Sequence, residues 1–249
     1  MSTGTLYLIP VSLGGEDLAW TIPPAVRKCV AELDSFIVEH PKTARHFLKQ
    51  IGCALPLQRI HMGVLDEHTK PTEFESLLAP VFTGKDVGLL SEAGCPAVAD
   101  PGAELVRLAH RRNVQVAPLV GPSSILLALM ASGLNGQRFA FQGYLPAETD
   151  RRIKRIGELE KESILRDQTQ IFIETPYRNQ KLLESLLHTC QGETALCIAS
   201  SLTLPGEFTF TKTIREWLNA PPELANKPTV FLLHGGKSAR RNGCHSGRK

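Results

Sequence analysis

The feature that most constrains this chain is a regular alternation of short apolar segments with strand character and amphipathic segments with helical spacing. Residues 5–9 form the first predicted strand, and a predicted helix starts after Pro23-Pro24 and runs to about Leu33. Residues 35–38 are a second predicted strand, and residues 43–51 a helix that ends before Gly52. Because helices between strands act as crossovers in parallel sheets, the alternation predicts an α/β fold with largely parallel sheets.

The same alternation continues through the rest of the chain, where predicted short strands outnumber predicted helices. The segment 123–132 is apolar almost all round, which predicts a buried helix with Ser123 or Ser124 as its N-cap. The other predicted helices are 71–83, 104–112 and 150–162, and the other predicted strands are 86–90, 114–117, 138–142, 169–174, 195–200, 209–212 and 229–234. The strands of the second half predict a mixed sheet with flanking helices.

A stiff, proline-containing connector at residues 118–122 marks the predicted domain boundary. We therefore expect an N-terminal α/β domain at 1–118 and a C-terminal α/β domain at 119–236. Residues 237–249 hold five basic residues and no acid, and without them the chain has 23 basic and 25 acidic residues. This tail is predicted to be disordered, either simply solvated or in contact with RNA phosphates.

Several classes of protein are disfavoured by absent signals. No apolar run approaches the roughly 18 residues of a membrane helix, and no signal peptide is apparent, so we expect a cytoplasmic protein without a membrane partner. The six cysteines and eight histidines show no zinc spacing, so no metal is expected. Neither a GxGxxG after the first strand nor a GxxxxGK[ST] is present, which disfavours a Rossmann dehydrogenase and a P-loop NTPase.

The loop 91–102 is the most informative segment, because it directly follows an apolar strand and precedes a helix. Ligands of open α/β sheets bind just outside the carboxyl ends of strands. Gly94 and Gly102 permit positive φ and close approach of a ligand, and Glu92 can accept hydrogen bonds from ligand hydroxyl or ammonium groups. The residues alone leave two readings open, a ligand site or an ordinary strand-to-helix connection.

This loop resembles a known cofactor loop. Its sequence, Ser-Glu-Ala-Gly-Cys-Pro-Ala-Val-Ala-Asp-Pro-Gly, is similar to the Ser-Asp-Ala-Gly-Thr-Pro-Gly-Ile-Ser-Asp-Pro-Gly of the ribosomal RNA branch of the tetrapyrrole-methylase superfamily. Four further segments match the branch in the same order along the chain: Gly4-Thr5-Leu6-Tyr7 with Pro10; Gly121-Pro122-Ser123-Ser124 with Ala131-Ser132-Gly133-Leu134; Phe141-Gln142-Gly143-Tyr144-Leu145-Pro146; and Glu174-Thr175-Pro176-Tyr177-Arg178. One such motif would be weak, whereas five in order are specific.

The resemblance implies two α/β domains with S-adenosylmethionine in a cleft between them, and usually a homodimer. It implies a methyltransferase, with the ribose 2′-hydroxyl of small-subunit ribosomal RNA as the acceptor of the most similar relatives. The cofactor-binding residues that it implies in this chain are Pro10, Glu92, Ala93, Gly94, Val98, Ala99, Ser123, Ser124, Phe141, Gly143, Thr175, Pro176, Thr203, Pro228 and Thr229.

Two segments of the first domain depart from the branch. The branch usually has Glu-Asp-Thr-Arg after its second strand, where this chain has Glu39-His40-Pro41-Lys42. It also carries His-Glu-His-Asn-Glu, where this chain has Leu65-Asp66-Glu67-His68-Thr69. Since the resemblance implies that the acceptor is recognised in this domain, the acceptor-side candidates are Glu39, His40, Lys42, Arg45, Asp66, Glu67 and His68. His68, His40, Glu39 and Asp66 are the catalytic candidates, with a histidine as base because it titrates near neutral pH.

Each of these acceptor-side groups has a second reading. Residues 66–68 are either catalytic or a solvated turn, and the basic face of Lys42, Arg45, His46 and Lys49 either a phosphate-binding stripe or a solvated helix face. Gly14-Gly15 is either an anion-binding loop near that stripe or a plain turn. Neither Trp20 nor Trp217 has basic partners that form an obvious nucleic-acid platform, which favours packing roles.

Three functions remain open from the sequence. The first is an S-adenosylmethionine-dependent methyltransferase acting on RNA, with rRNA processing as its context. The second is methylation of a tetrapyrrole or another small molecule, and the third is a cofactor-binding interaction protein without catalysis.

Overall fold

The chain divides into two compact units, the first ending at Ser124 and the second beginning at Ile125. The computed structural model describes residues 3–236, so the predicted basic tail at 237–249 lies outside the described residues. The boundary falls six residues after the predicted one, because the connector is bound to the first unit. The Leu119 amide donates to the Leu8 carbonyl at 2.9 Å, continuing the pairing of the last strand of that unit.

The first unit is built on a five-stranded parallel sheet. Its strands are β1 (Thr5–Ile9), β2 (Ser35–Val38), β3 (His61–Val64), β4 (Val87–Leu90) and β5 (Gln115–Pro118), in the order β3-β2-β4-β1-β5. Its helices are α1 (Leu18–Thr21), α2 (Pro24–Ala31), α3 (Pro41–Ile51), α4 (Phe74–Phe82) and α5 (Ala103–Arg111), with short 3-10 turns at Leu57–Arg59 and Pro71–Glu73. The predicted parallel α/β architecture is confirmed for this unit.

The central strands are buried on both faces, as parallel strands covered by helices must be. Every residue of β2 and β4 is buried. On one face Phe36 packs with Val30 and Phe47 from α2 and α3, and on the other Leu89 packs with Leu78 from α4. The unit is therefore a three-layer sandwich with the sheet in the middle.

The connections of this sheet reverse direction between β2 and β4. The chain leaves β2 towards β3 at one edge of the sheet, and leaves β4 towards β5 at the opposite edge. In open α/β sheets such a switch point opens a crevice at the carboxyl ends of the two adjacent strands, and ligands bind there. The residues that follow β2 and β4 are Glu39-His40 and the loop 91–102.

The second unit contains the predicted mixed sheet. Its strands are β6 (Phe139–Tyr144), β7 (Thr169–Ile173), β8 (Ala195–Ser200), β9 (Phe208–Thr213) and β10 (Thr229–His234), in the order β6-β7-β10-β8-β9. Only β6 and β7 pair in parallel among these strands of the described chain. The helices are α6 (Ser124–Ser132), α7 (Thr149–Arg166), α8 (Asn179–Thr189) and α9 (Ile214–Asn219), with a 3-10 turn at Pro176–Arg178. Consequently the carboxyl ends of β6, β7 and β8 and the start of β10 lie at the same end of the sheet.

Helix α6 is not fully buried, contrary to the prediction. Ala128 and Leu129 pack inwards, whereas Leu126 is 52% exposed and Met130 80% exposed. A helix that is apolar on all faces is expected to be covered on all of them. The sequence does not indicate which surface covers each face. Within residues 3–236, no helix combines the length and apolar character needed to cross a bilayer.

Candidate functional site

The crevice of the first unit brings together two segments that are far apart in sequence. The Thr43 hydroxyl lies 2.5 Å from Glu92 Oε1 and 2.9 Å from the His40 carbonyl, so its single proton can be donated to either. The Nδ1 atom of His40 lies 3.6 Å from the same carboxylate oxygen of Glu92. The segment after β2 and the loop after β4 are thus joined through Glu92.

The loop 91–102 is held in an unusual backbone conformation. Gly94 and Gly102 have φ of 71° and 135°, and Ala97 and Ala99 both have φ of 64°. Alanine rarely adopts positive φ, and such strain concentrates at functional sites. Two hydrogen bonds fix the start of the loop to the end of β1, from the Val11 amide to the Gly94 carbonyl (2.8 Å) and in return from Gly94 to Val11 (3.0 Å).

Carboxylates crowd the floor of the crevice. Burial raises the pKa of Glu39, and the neighbouring Asp100 and Glu92 carboxylates raise it further. The Glu39 Oε2 atom is buried and accepts no hydrogen bond from the described residues. Burial also raises the pKa of Asp100, against a lowering hydrogen bond from Ser91. Titratable groups with perturbed pKa in a crevice are typical of functional sites.

The turn after β3 holds the remaining catalytic candidates. Asp66 Oδ1 accepts hydrogen bonds from the Thr69 hydroxyl and from the His68 amide, both at 2.9 Å. These bonds lower the pKa of Asp66, so it is a poor proton acceptor. The His68 side chain is 84% exposed, and its only ion-pair neighbour among the described residues is Glu67, at 3.6 Å. The polar side chains of this turn therefore find their partners within the turn itself.

A cavity of about 460 Å³ lies beside the crevice, within the range typical of ligand pockets. Gly14 and Gly15 line it together with Lys42 and His46 of α3. The interpretation of these residues as a site for a phosphate requires them to lie close together. The residues that line it are Val11, Ser12, Leu13, Gly14, Gly15, Glu16, Lys42, Thr43, His46, Phe47, Gln50, Glu92 and Ala93. Arg45 and Lys49 are exposed on the same helix without lining the cavity.

The predicted cofactor-binding residues of the second unit lie at the end of the sheet where β6, β7 and β8 terminate. Gly143 has φ of 65° beside a bulge in the pairing of β6 with β7, and a Cβ there would meet no atom within 4 Å. Thr203 also has positive φ, and its hydroxyl oxygen is buried and unpartnered among the described residues. Thr229 donates to Ser200 at 3.1 Å or to the Lys227 carbonyl at 3.0 Å.

The remaining candidates surround these positions. Thr175 and Pro176 follow β7, where Glu174 is held by Arg178 at 2.7 Å and by the Thr175 amide at 2.7 Å. The Pro228 carbonyl accepts from the Ser201 amide at 2.8 Å. The Phe141 side chain belongs to β6, beside the bulge.

Pro10, Ser123 and Ser124 belong to the first unit. Pro10 is buried after β1, and the connector passes so close that a Cβ on Gly121 would lie 2.4 Å from the Pro10 Cβ. Ser123 precedes α6, which begins at Ser124. In the loop 91–102, Val98 is 46% exposed and Ala93 and Ala99 are exposed, so their surfaces are open to a ligand.

Sequence reasoning missed three features of these surfaces. Thr43 was treated only as a helix residue, although it immediately follows the segment 39–42, and Asp100 was not singled out within the loop. Trp20 was expected to pack but is 80% exposed, whereas Trp217 is buried and donates to the Leu196 carbonyl at 2.8 Å. No cluster of His, Cys, Asp and Glu that could hold a metal occurs within residues 3–236.

Comparison with known proteins gives consistent matches along the chain. Residues 5–217 match the family model described as Tetrapyrrole (Corrin/Porphyrin) Methylases. A protein named Ribosomal RNA small subunit methyltransferase I from Haemophilus influenzae is 28% identical over 244 residues, which are 96% of this chain and 82% of the relative. Proteins of the same name from Halalkalibacterium halodurans and Pseudomonas aeruginosa are each 30% identical, covering 95% and 82% of this chain and 78% and 68% of the relatives.

Solved structures share the fold. The methyltransferase CobJ superposes with a TM-score of 0.61 at 19% identity, covering 95% of both chains. The uroporphyrin-III-C-methyltransferase from Thermus thermophilus has a TM-score of 0.55 at 18% identity, covering 93% of this chain and 94% of the other.

Proposed function

This chain belongs to the tetrapyrrole methylase family, and from that premise we propose that it transfers a methyl group from S-adenosylmethionine to small-subunit ribosomal RNA. The observation that carries the proposal is the position of the loop 91–102, the family's cofactor loop by resemblance, at the switch point of the parallel sheet. The relatives that match most of the chain are named for ribosomal RNA, which supports the acceptor. A ribosomal acceptor in turn supports a cytoplasmic location.

The residues at each sheet edge fit the proposed cofactor. In the first unit, the exposed Glu92 offers a carboxylate to a hydroxyl or ammonium group, and the exposed Ala93 and Ala99 allow a ligand to approach the loop closely. In the second unit, Thr203 offers an unpartnered hydroxyl and Gly143 leaves space above the backbone. When bound, S-adenosylmethionine supplies an activated methyl group on a sulfonium sulfur. We assign the contacts unit by unit, to the residues that the resemblance implies.

The protein's contribution to methyl transfer is alignment of the acceptor and removal of its proton. We propose His40 as the proton acceptor for a ribose 2′-hydroxyl, with Glu92 as the carboxylate that orients it at 3.6 Å. The His40 side chain is 64% exposed and therefore accessible to an RNA acceptor. His40 would accept the hydroxyl proton as the acceptor oxygen takes the methyl group; bound S-adenosylmethionine would supply that group, its methyl–sulfur bond breaking to leave a neutral thioether. Glu39 is the next candidate, and Asp66 and His68 are disfavoured by their self-contained turn.

Two measurements test this function. Transfer of labelled methyl from S-adenosylmethionine to small-subunit RNA, taken from cells that lack the protein, is expected; no transfer to any RNA fraction would refute the acceptor. Calorimetric titration should show binding of S-adenosylmethionine and S-adenosylhomocysteine, with ATP as the negative control. His40→Ala should lower kcat at saturating cofactor by about 10²-fold or more, while Glu39→Gln retains most of it. The reverse order would transfer the role of base to Glu39.

We propose that the chain forms a homodimer through the exposed face of α6. Leu126 and Met130 are one turn apart and so lie on the same side of the helix. Large exposed apolar surfaces commonly mark protein interfaces, and self-association would cover this one symmetrically. Light scattering should give twice the chain mass of 27.3 kDa.

A further inference from the structure

We propose that the cavity beside α3 and the exposed Trp20 together form a subsite for single-stranded RNA, in which the cavity takes a backbone phosphate and Trp20 stacks on a base. This inference rests on the proposed RNA acceptor. It adds the residues that would bind the strand next to the reacting nucleotide.

The basic side chains of α3 are uncompensated. Lys42, Arg45, His46 and Lys49 are all exposed, and α3 contains no acidic residue. None of the four forms an ion pair with another described residue, unlike the cluster on α7, where Arg151 pairs with Glu148. A basic surface that its own protein does not neutralise is the electrostatic footprint expected for contact with nucleic-acid phosphates.

The cavity adds hydrogen-bond donors to this charge. The amides of Gly14 and Gly15 donate no hydrogen bond within residues 3–236, and Gly14 has φ of 122°, a conformation that favours glycine. Two acids also line the cavity, Glu16 and Glu92, but Glu92 already faces His40 and Thr43. A phosphate beside Gly14 and Lys42 would therefore meet backbone donors and a cation, in a cavity that Glu92 and Ala93 of the loop 91–102 also line.

Trp20 supplies the second contact. Helix α1 is anchored by buried Leu18 and Ile22 on either side of it, so the segment is fixed while the indole remains 80% exposed. Trp20 lies four residues after Glu16, which lines the cavity. Aromatic side chains beside a basic groove are the stacking platforms of proteins that bind single strands. A strand that places a phosphate in the cavity thus has a base within reach of the same segment.

Trp20 also makes the inference directly measurable. The chain has two tryptophans, and Trp217 is only 2% exposed, so quenching of fluorescence by an added strand reports on Trp20. Titration with a short mixed-sequence single-stranded RNA should quench the signal, and Trp20→Phe should abolish the quenching. Trp20→Ala should weaken binding of a dye-labelled copy of that RNA by about fivefold or more. Inorganic phosphate alone should compete weakly without quenching.

The charge contact is tested by a matched pair of variants. Lys42→Gln should weaken RNA binding several-fold and reduce the slope of log Kd against log salt by about 0.7, the value for one single-strand phosphate. Lys161→Gln is the control, because Lys161 is an exposed helical lysine with no ion pair among the described residues. RNA binding without quenching, together with equal salt slopes for the two variants, would overturn the subsite.

Failure of this subsite can be told apart from failure of the proposed function. If the wild-type protein methylates small-subunit RNA while Trp20→Ala and Lys42→Gln leave RNA affinity and KM unchanged, the subsite is wrong and the function stands. If the wild-type protein methylates no RNA, the proposed function fails, and the fluorescence titration still decides whether Trp20 contacts a strand.

Discussion

Replacement of Gly94 by alanine separates the stability of the loop 91–102 from its proposed role in cofactor binding. Gly94 has φ of 71°, and an added Cβ would meet only Leu13 Cδ2 at 3.4 Å and the Pro122 carbonyl at 3.8 Å, which are ordinary contacts. Backbone conformation is therefore the main source of destabilisation. The left-handed region costs a non-glycine residue about 1–2 kcal/mol, and the loss of unfolded-state freedom offsets about 0.4–1 kcal/mol of that.

The expected net loss for Gly94→Ala is about 1 kcal/mol, or about 3 °C in Tm for a chain of this size. Gly52→Ala is a matched control, because Gly52 belongs to the same unit, has φ of 79° and has no atom within 4 Å of its built Cβ. Both variants should lose similar stability. Only Gly94→Ala should lower kcat/KM for S-adenosylmethionine, by about tenfold, since relaxation at Gly94 moves the hydrogen-bonded join to Val11 and the adjacent Glu92 and Ala93.

Differential scanning fluorimetry and initial rates at varied cofactor concentration measure the two effects. Equal kcat/KM for Gly94→Ala and Gly52→Ala would refute the role of this loop in cofactor binding. An unchanged Tm for both would instead refute the backbone argument.

Three further predictions follow from particular contacts. Burial raises the pKa of Glu39 in the folded state, so this carboxyl destabilises the protein once pH rises above its unfolded value near 4.3. Glu39→Gln should therefore raise Tm at pH 7–8, with the gain vanishing towards pH 4, and a pH-independent difference would contradict this. The Glu174 side chain is 1% exposed and pairs with Arg178. Arg178→Met should therefore lower the free energy of unfolding by about 2 kcal/mol in denaturant titrations. This loss is smaller than usual for a broken buried ion pair, because the Thr175 amide still donates to Glu174. Adding Glu174→Gln should recover part of that loss. Met130→Asp should yield monomers in light scattering, whereas Leu165→Asp, at an 84% exposed leucine on α7, should remain dimeric.

The fold followed from sequence wherever apolar segments were continuous. Strands β1, β2, β8 and β10 have the predicted bounds, because each is a short, mostly apolar run flanked by turn residues. Strand β3 was missed, since His61–Val64 is an edge strand with partly exposed residues and one glycine. Helices α8 and α9 were also not delimited. An edge strand needs a neighbour to define it, and the sequence of the strand alone does not identify that neighbour.

The crevice could be predicted only in part. The loop 91–102 was recognisable by its glycines, its prolines and its place after a strand. Its contact with residues 39–43 depends on β4 lying next to β2, which no local pattern encodes. Thr43 and Asp100 were therefore missed, as both acquire their neighbours from the strand order. For Trp20, the sequence favoured packing, but the side chain is 80% exposed, because the buried Leu18 and Ile22 on either side of it anchor the segment instead.

The pairing of His40 with Glu92 connects the two halves of the family resemblance. The cofactor loop matches the ribosomal RNA branch closely, while the segment 39–42 departs from it by placing histidine where the branch has aspartate. In the branch pattern two carboxylates would face each other here, since Glu92 also stands where the branch has an acid. An imidazole in place of the second carboxylate removes that repulsion. The departure therefore changes the protonation chemistry beside the cofactor loop itself, and the variant His40→Asp is the direct comparison. If it methylates RNA as fast as the wild-type protein at neutral pH, imidazole is not the base, and the proton must leave by another group.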